Sequence, residues 1–378
     1  MITAEEALAA ASKQTGLEDF GDDRFREGLG VYCQSVNEEA KLNDLGGMVA
    51  EATVVGGLAN RLRVVDWAAR HPEVRDEPII APLIVVGIFR AGTTLLSGLL
   101  DCDPGNRALL RWEAADSVPP PTRATFREGP RVDAARAGIE MLETLNPQAA
   151  AVHHEDADGP TECITVMMQD FKSLALEAVA NVPAYGGWLQ QVDQRSAYEY
   201  HRLVLQLLQS AGVRGRWTLK SPHHATALEA LTAVYPDAKL VVLHRDPVEL
   251  CASVCSLISV LSGAFSDADH RSYIAEHWTG MLELSISRLD AFRAAHPEYP
   301  ILDVRYEELV RQPVETVARI YEFTGEPLSA EGTAAMSSYL EAHAKNRFGA
   351  HRYDVADFGL TADEVSERFA SYREHYLG

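Results

Sequence analysis

Gly87, Gly92, Thr93 and Thr94 stand in the string GIFRAGTT, directly after the apolar run LIVVG. In a phosphate loop the backbone N–H groups of such a glycine-rich turn cradle phosphates, a lysine reaches the β- and γ-phosphates, and the following Ser or Thr holds magnesium. Here Thr93 occupies the lysine position, and Arg90 supplies a cation from inside the turn. The turn keeps an anion-binding nest at a helix N-terminus. It lacks the group that handles a γ-phosphate, so it suits a nucleotide with one 5′-phosphate position and something transferable on it.

Other residues with chemistry to offer are scattered along the chain. Arg245 opens HRDPVELCAS, with Ser253 eight residues later, two helical turns on. A guanidinium fork makes charge-assisted, directional contacts with anions. HRD also opens a kinase catalytic loop, but the asparagine that loop requires is Cys251 here. Lys220 lies in WTLKSPHH and Tyr306 in RYEELV. Glu113 lies in LLRWEAADS, 19 residues past Thr94, and His153 and His154 open HHEDADGPTE. Lys345, Arg347, His351 and Arg352 form a basic cluster within AHAKNRFGAHRY.

The elements that must position these groups are readable from hydrophobic pattern. Residues 1 to about 78 read as helical, with apolar positions three and four apart. PIIAPLIVVG is a continuous branched run, the mark of a strand buried on both faces, and TTLLSGLLD continues as a helix. RWTLKSPHHATALEALTAVYP, AKLVVLHRDPVELCASVCSLISVL and YPILDVRYEELVRQPVETVARIYEFTG repeat the strand-to-helix order. Such alternation predicts a parallel sheet with ligand sites beyond the carboxyl ends of its strands, where Arg90, Lys220, Arg245 and Tyr306 all fall. VDAARAGIEMLETL and GPTECITVMMQDFKSLALEAVANV read as two helices that cover the site.

Composition sets the boundaries of function. The 378 residues are 47% hydrophobic, with no stretch near the roughly 20 apolar residues of a membrane span. The net charge of −21, from 34 basic and 55 acidic residues, repels nucleic acid and anionic membranes. An anionic small ligand must therefore be captured by local arginines. Five scattered cysteines, an odd number, indicate reduced thiols rather than a disulfide framework. With no secretory signal read at the start, this points to the cytoplasm. Cys251 and Cys255 lack a second Cys/His pair at zinc spacing, and no metal is expected.

Taken as an ordered set, GIFRAGTTLL, LKSPHH, LVVLHRDPVELCAS and RYEELV resemble the sulfotransferases that use 3′-phosphoadenosine 5′-phosphosulfate, over about residues 80 to 325. The resemblance is greatest to the bacterial and tyrosylprotein branches. It implies an α/β fold: a three-layer, phosphate-loop-like core with a central parallel sheet over 79–330, a helical extension over 1–78, and a segment over 331–378 closing over the donor. By resemblance the 5′-phosphosulfate falls to Arg90, Ala91, Gly92, Thr93, Thr94 and Leu95, and the 3′-phosphate to Arg245 and Ser253. Lys220 would touch the bridging oxygen of the departing phosphate, and Tyr306 would line the adenine pocket. A C-terminal basic contact to the 3′-phosphate is also implied, represented here by Arg347 without fixing which residue of its cluster makes it. Phe89 stands where the family usually has proline, and Ala91 where serine is usual.

The acceptor needs a base, and two alternatives stand: Glu113, near the family's carboxylate position, or a histidine, His154 or its neighbour His153. No metal is required. The expected partner is a small, partly apolar hydroxylated molecule. Oligomerisation is left open. A nucleotide kinase or triphosphatase on the same core, or a nucleotide-binding protein without turnover, are the competing readings.

Overall fold

The structure, a computed structural model, describes residues 2–148, 155–343 and 354–378. Five parallel strands form its sheet: β1 (Leu83–Gly87), β2 (Asn106–Ala108), β3 (Arg216–Ser221), β4 (Lys239–His244) and β5 (Ile301–Arg305), in the order β2-β3-β1-β4-β5. Every residue of β1 is buried, as its unbroken apolar run requires of a central strand covered on both faces. After β1 the chain turns toward β2, whereas after β4 it continues toward β5. The crevice between the ends of β1 and β4 is thus a topological switch point, where doubly wound sheets bind ligands. Register aligns Val86 with Ser221 and Gly87 with Leu243, which sets the turn after β1 beside Lys220 and Arg245.

The four expected strand-to-helix units are present. β2 was not expected: its three residues, Asn-Arg-Ala, form neither an apolar run nor an alternation, and β3 alone recruits it to the edge. The N-terminal region is helical in three pieces, α1 (Ala4–Thr15), α2 (Phe25–Glu38) and α3 (Asp44–Arg70). Between α2 and α3 the helical run is interrupted. Lys41 takes a left-handed φ of 48°, Leu42 bridges to Ser266, and the Asn43 side chain caps α3 by accepting from Gly46 N–H at 2.8 Å.

α4 (Thr93–Asp101) follows β1, and α5 (Arg111–Ala115) and α6 (Pro130–Leu145) follow β2. The second covering helix is broken into short turns, because Phe171 sits at φ 52°. The Tyr185 hydroxyl satisfies the freed backbone there, accepting from Ser173 N–H at 3.0 Å and donating to the Phe171 carbonyl at 3.1 Å.

One contiguous apolar core runs from Ile2 through the sheet to Tyr376, so the N-terminal helices and the C-terminal residues share it. Arg61 of α3, 2% exposed, stitches this junction. It donates to the carbonyls of Phe20 and Asp22, pairs with Asp170 at 3.0 Å, and lies between the rings of Phe25 and Tyr200. Its donors are met, which is the condition for burying a guanidinium without a large penalty. At the other end, Tyr372 reaches His244 of β4 at 3.1 Å and Arg373 lies 3.4 Å from Asp246. The final residues thereby brace the turn that carries Arg245.

Candidate active site

Two glycines shape the turn after β1. A Cβ on Gly87 would lie 2.4 Å from Thr93 Cγ2, so α4 folds back on its strand only over glycine. Gly92 sits at φ 94°, and a Cβ there would meet the Tyr306 ring at 2.8 Å. Arg90 takes φ 62°, which turns its carbonyl toward β4. Gly92 begins α4 with no side-chain cap, and the first amides of a helix have no intrahelical acceptor. Gly92, Thr93 and Thr94 face a cavity of about 260 Å³ at the switch point.

The strand ends converge on that turn. Arg90 Nε donates to Ser253 Oγ at 3.2 Å, and an Arg245 N–H donates to the Arg90 carbonyl at 3.0 Å. The Arg245 guanidinium lies 4.2 Å from the Tyr306 ring centre and pairs with Glu249 at 2.5 Å. Glu249 is 55% exposed, so this pairing is worth little and yields readily to a better anion. Arg90, Ser253, Arg245 and Tyr306, from three separate strand ends, are thus brought together. Ser253 is buried behind Arg90.

The rest of the cavity is apolar on one side. Val254, Leu257, Ile258 and Leu261 form a single face of the helix Pro247–Gly263 toward it, at three- and four-residue spacing. Trp278 and Phe89 face them, edge to face at 5.4 Å. The aromatic side chain that departs from the family's proline is therefore part of the cavity wall. Ala91 is fully buried and Leu95 packs against the core; neither side chain lines the cavity.

The polar side holds Glu162. Its Oε1 is 3.5 Å from Lys220 Nζ, and Glu155 Oε1 is 3.8 Å from the same ammonium. Lys220 is 1% exposed, and its carbonyl accepts from Cys163 N–H at 3.0 Å, which fixes Glu162 next to the end of β3. Burial pushes the adjacent Cys163 thiol up to about 12, so it takes no part as a thiolate.

Glu113 is elsewhere. It is fully buried, its two oxygens engaged by Arg107 at 2.5 and 2.9 Å and by Leu110 N–H at 3.2 Å, and it is not among the residues lining the cavity. The structure thus does not bring Glu113 to the cavity wall, where Glu162 is the carboxylate present. His223 and His224 are buried too. His223 accepts from Leu174 N–H at 3.3 Å and also bonds Gln194, and burial drives its ring down to about 3. His224 meets Tyr198 at 2.9 Å and is driven well below the usual range by the same cause. His153, His154, Lys345, Arg347, His351 and Arg352 lie outside the described residues. Among the described residues, no group of three His, Cys, Asp or Glu converges to hold a metal ion, and no helix is long and apolar enough to cross a membrane.

The sequence reading did not single out Glu162 or Trp278, and it gave Glu155 no place at the cavity. The helix face was legible as a three-and-four spacing just after Ser253. Glu162 and Glu155 sat in the acidic string HHEDADGPTE with nothing local to tell them from solvated loop residues.

A profile of the sulfotransferase family matches residues 82–330. The omega-hydroxy-beta-dihydromenaquinone-9 sulfotransferase Stf3 of Mycobacterium bovis is 23% identical over 309 residues, which cover 78% of this chain and 76% of that protein. The crystal structure of sulfotransferase STF9 from Mycobacterium avium superposes with a TM-score of 0.91 at 34% identity, covering 99% of this chain and 96% of the other. That of sulfotransferase STF1 from Mycobacterium tuberculosis does so with a TM-score of 0.87 at 35% identity, covering 98% and 99%. With its central parallel sheet, its lysine-free phosphate turn and these matches over nearly its whole length, the chain belongs to the sulfotransferase family.

Proposed function

We propose that the chain transfers the sulfuryl group of 3′-phosphoadenosine 5′-phosphosulfate to a hydroxyl of a small, partly apolar acceptor. The observation that carries this reading is the convergence of Arg90, Ser253, Arg245 and Tyr306 around a phosphate turn without its lysine. In this reading Arg90 and the amides from Gly92 to Thr94 hold the 5′-phosphosulfate, and Arg245 with Ser253 holds the 3′-phosphate that distinguishes this donor from ATP. Arg245 exchanges Glu249 for that phosphate, and Tyr306 lies along the adenine. Lys220 offers positive charge to the bridging oxygen as the sulfur–oxygen bond breaks, where charge develops only in the transition state. Attack is in line, and the leaving group is 3′,5′-bisphosphoadenosine.

The wall of Leu257, Ile258, Leu261 and Trp278 supports an acceptor with an apolar body and a polar reacting end. The Stf3 relative, which acts on a hydroxylated menaquinone derivative, is in keeping with that chemistry. The five thiols are free, in line with a reducing compartment, and we place the protein in the cytoplasm on that ground. Isothermal calorimetry tests the reading. It predicts binding of 3′,5′-bisphosphoadenosine without magnesium and much weaker binding of magnesium ATP; the opposite preference would overturn it in favour of a kinase or triphosphatase.

A further inference from the structure

We infer that Glu177 and His277, a hydrogen-bonded pair behind the cavity wall, hold Trp278 in place and so select acceptors that are slim beside the reacting hydroxyl: an unbranched chain or a flat ring, not a branched or caged body. This deepens the reading proposed above and rests on the cavity's taking a hydroxylated acceptor next to the donor turn.

The shape of the cavity is the first ground. From Val254 to Leu261 the apolar helix face rises roughly 10 Å, with Trp278 across from it. A volume of about 260 Å³ that also serves the donor turn leaves a slot along that face, not a bowl. Trp278 sets the width of the slot. It is 2% exposed and meets Phe89 edge to face at 5.4 Å, so the position of its ring decides what passes between it and the helix.

The second ground is how that ring is held. His277 and Trp278 are neighbours on the helix Arg271–Ala295, and successive side chains leave a helix about 100° apart. Trp278 lines the cavity and His277 does not. His277 Nε2 lies 2.6 Å from Glu177 Oε2, and its ring stacks on Tyr273 at 5.1 Å, one helical turn back. The same ring meets Trp278 at 90° and 5.5 Å. One directional bond and one stacking contact thus fix the imidazole, and Trp278 packs against what they fix.

The third ground is what the carboxylate belongs to. Glu177 stands in the turn Ala175–Val179, and Leu174 and Ala178 beside it both line the cavity. The pair therefore ties that part of the wall to the helix that carries Trp278. Glu177 is 2% exposed and its Oε1 has no hydrogen-bond partner, a cost that makes the pair a poor device for stability alone. Gly186, in the helix Pro183–Leu189, closes over it: a Cβ there would overlap Glu177 Oε2 and lie 3.0 Å from His277 Cε1. That helix is anchored in turn to α2, where Glu39 accepts from Ala184 N–H and Ser35 Oγ from Tyr185 N–H, both at 3.0 Å. The N-terminal helices thus reach the acceptor wall through this pair.

The test uses the full chain saturated with 3′,5′-bisphosphoadenosine and reads the affinity of octanol, naphthol and adamantanemethanol by calorimetry. Wild type should bind the first two at least about tenfold more tightly than the caged alcohol, a discrimination of the size that a shaped apolar pocket gives. His277→Ala should reduce that preference to about twofold or less, with the affinity for the bisphosphate unchanged. Glu177→Gln, which keeps a hydrogen bond to the imidazole, should retain the preference, and Glu177→Ala should lose it. Gly186→Ala presses on the pair without altering a side chain of the cavity, and it should lower the preference too; it carries the test if a change within the pair prevents folding. An undiminished preference in His277→Ala or, failing that variant, in Gly186→Ala overturns the inference. So does a wild type that binds the three alcohols equally or binds none of them. Failure of wild type to bind the bisphosphate overturns the donor assignment instead. On a slim acceptor that wild type sulfates, His277→Ala should raise KM about fivefold or more and leave kcat within about twofold. A fall in kcat at unchanged KM would place the pair in the chemistry and overturn its role in the wall.

Discussion

Two buried ion clusters lie at opposite ends of the β3 edge of the site, and they differ in how completely they are satisfied. Arg107 and Glu113 are 1% and 0% exposed and saturate each other. Two bonds join them, the Ala108 and Val213 carbonyls and Leu110 N–H take further bonds, and the Phe126 and Trp217 rings sandwich the guanidinium at 4.2 and 4.6 Å. Lys220 is equally buried, yet it stands 3.5 and 3.8 Å from two carboxylates, one of which opens to the cavity. A saturated pair has no bonding capacity left for a substrate. A loosely shared one has both a proton acceptor and a cation to offer, which is why we read the first as structure and the second as chemistry.

The comparison breaks most sharply at Arg107. Arg107→Met leaves Glu113 buried without its partner and should cost about 3–5 kcal/mol of stability, read as a lowered denaturation midpoint, with turnover per folded molecule unchanged. Lys220→Met should do the converse, lowering kcat by about 10²–10³-fold, a typical loss for one preorganised electrostatic group. A Lys220 variant that melts early but turns over normally would erase the distinction.

Acid sharpens it further. Burial holds the His201 and His223 rings down to about 3, against an ordinary value of 6.5. Their folded-state affinity for protons is lowered, so the stability they contribute is fully present above 6.5 and drains away as pH falls toward 3. By about pH 5 the loss should reach about 2 kcal/mol per ring, so thermal melts between neutral and mildly acid pH should fall steeply. His201→Gln should flatten that slope while leaving the affinity for 3′,5′-bisphosphoadenosine at neutral pH unchanged.

Smaller effects belong to the donor side. Arg245→Met should weaken 3′,5′-bisphosphoadenosine by about 10–100-fold and adenosine 5′-monophosphate by much less, since only the first has a 3′-phosphate. Ser253→Ala removes one neutral hydroxyl and should cost about fivefold on the same comparison.

How far the sequence carried this account depends on where the signal lay. The sheet was legible because β1 and β4 are unbroken apolar runs that end in polar turns, and the donor-side cluster because Gly87, Gly92, Arg245 and Ser253 keep fixed spacing within single strand-to-helix units. β2 escaped notice because three residues carry no period, and the covering helix broke at Phe171 because Tyr185, fourteen residues on, rewards the break with hydrogen bonds. Glu113 drew attention by its distance from the loop, yet a carboxylate's role turns on its partner. Arg107, six residues earlier, gave no sign of claiming it. Glu162 required the opposite knowledge, that Lys220 at the end of β3 would come within 3.5 Å. Contacts across the sheet are what linear spacing leaves out.

The most direct measurement sets the two carboxylates side by side. Wild type, Glu113→Gln and Glu162→Gln, each quantified as folded protein, are given sulfur-labelled 3′-phosphoadenosine 5′-phosphosulfate and a panel of hydroxylated amphiphiles, and transfer of label is followed. The account predicts transfer by wild type, a similar rate per folded molecule for Glu113→Gln, and at least about 100-fold less for Glu162→Gln. Full activity in Glu162→Gln with loss in Glu113→Gln would contradict it.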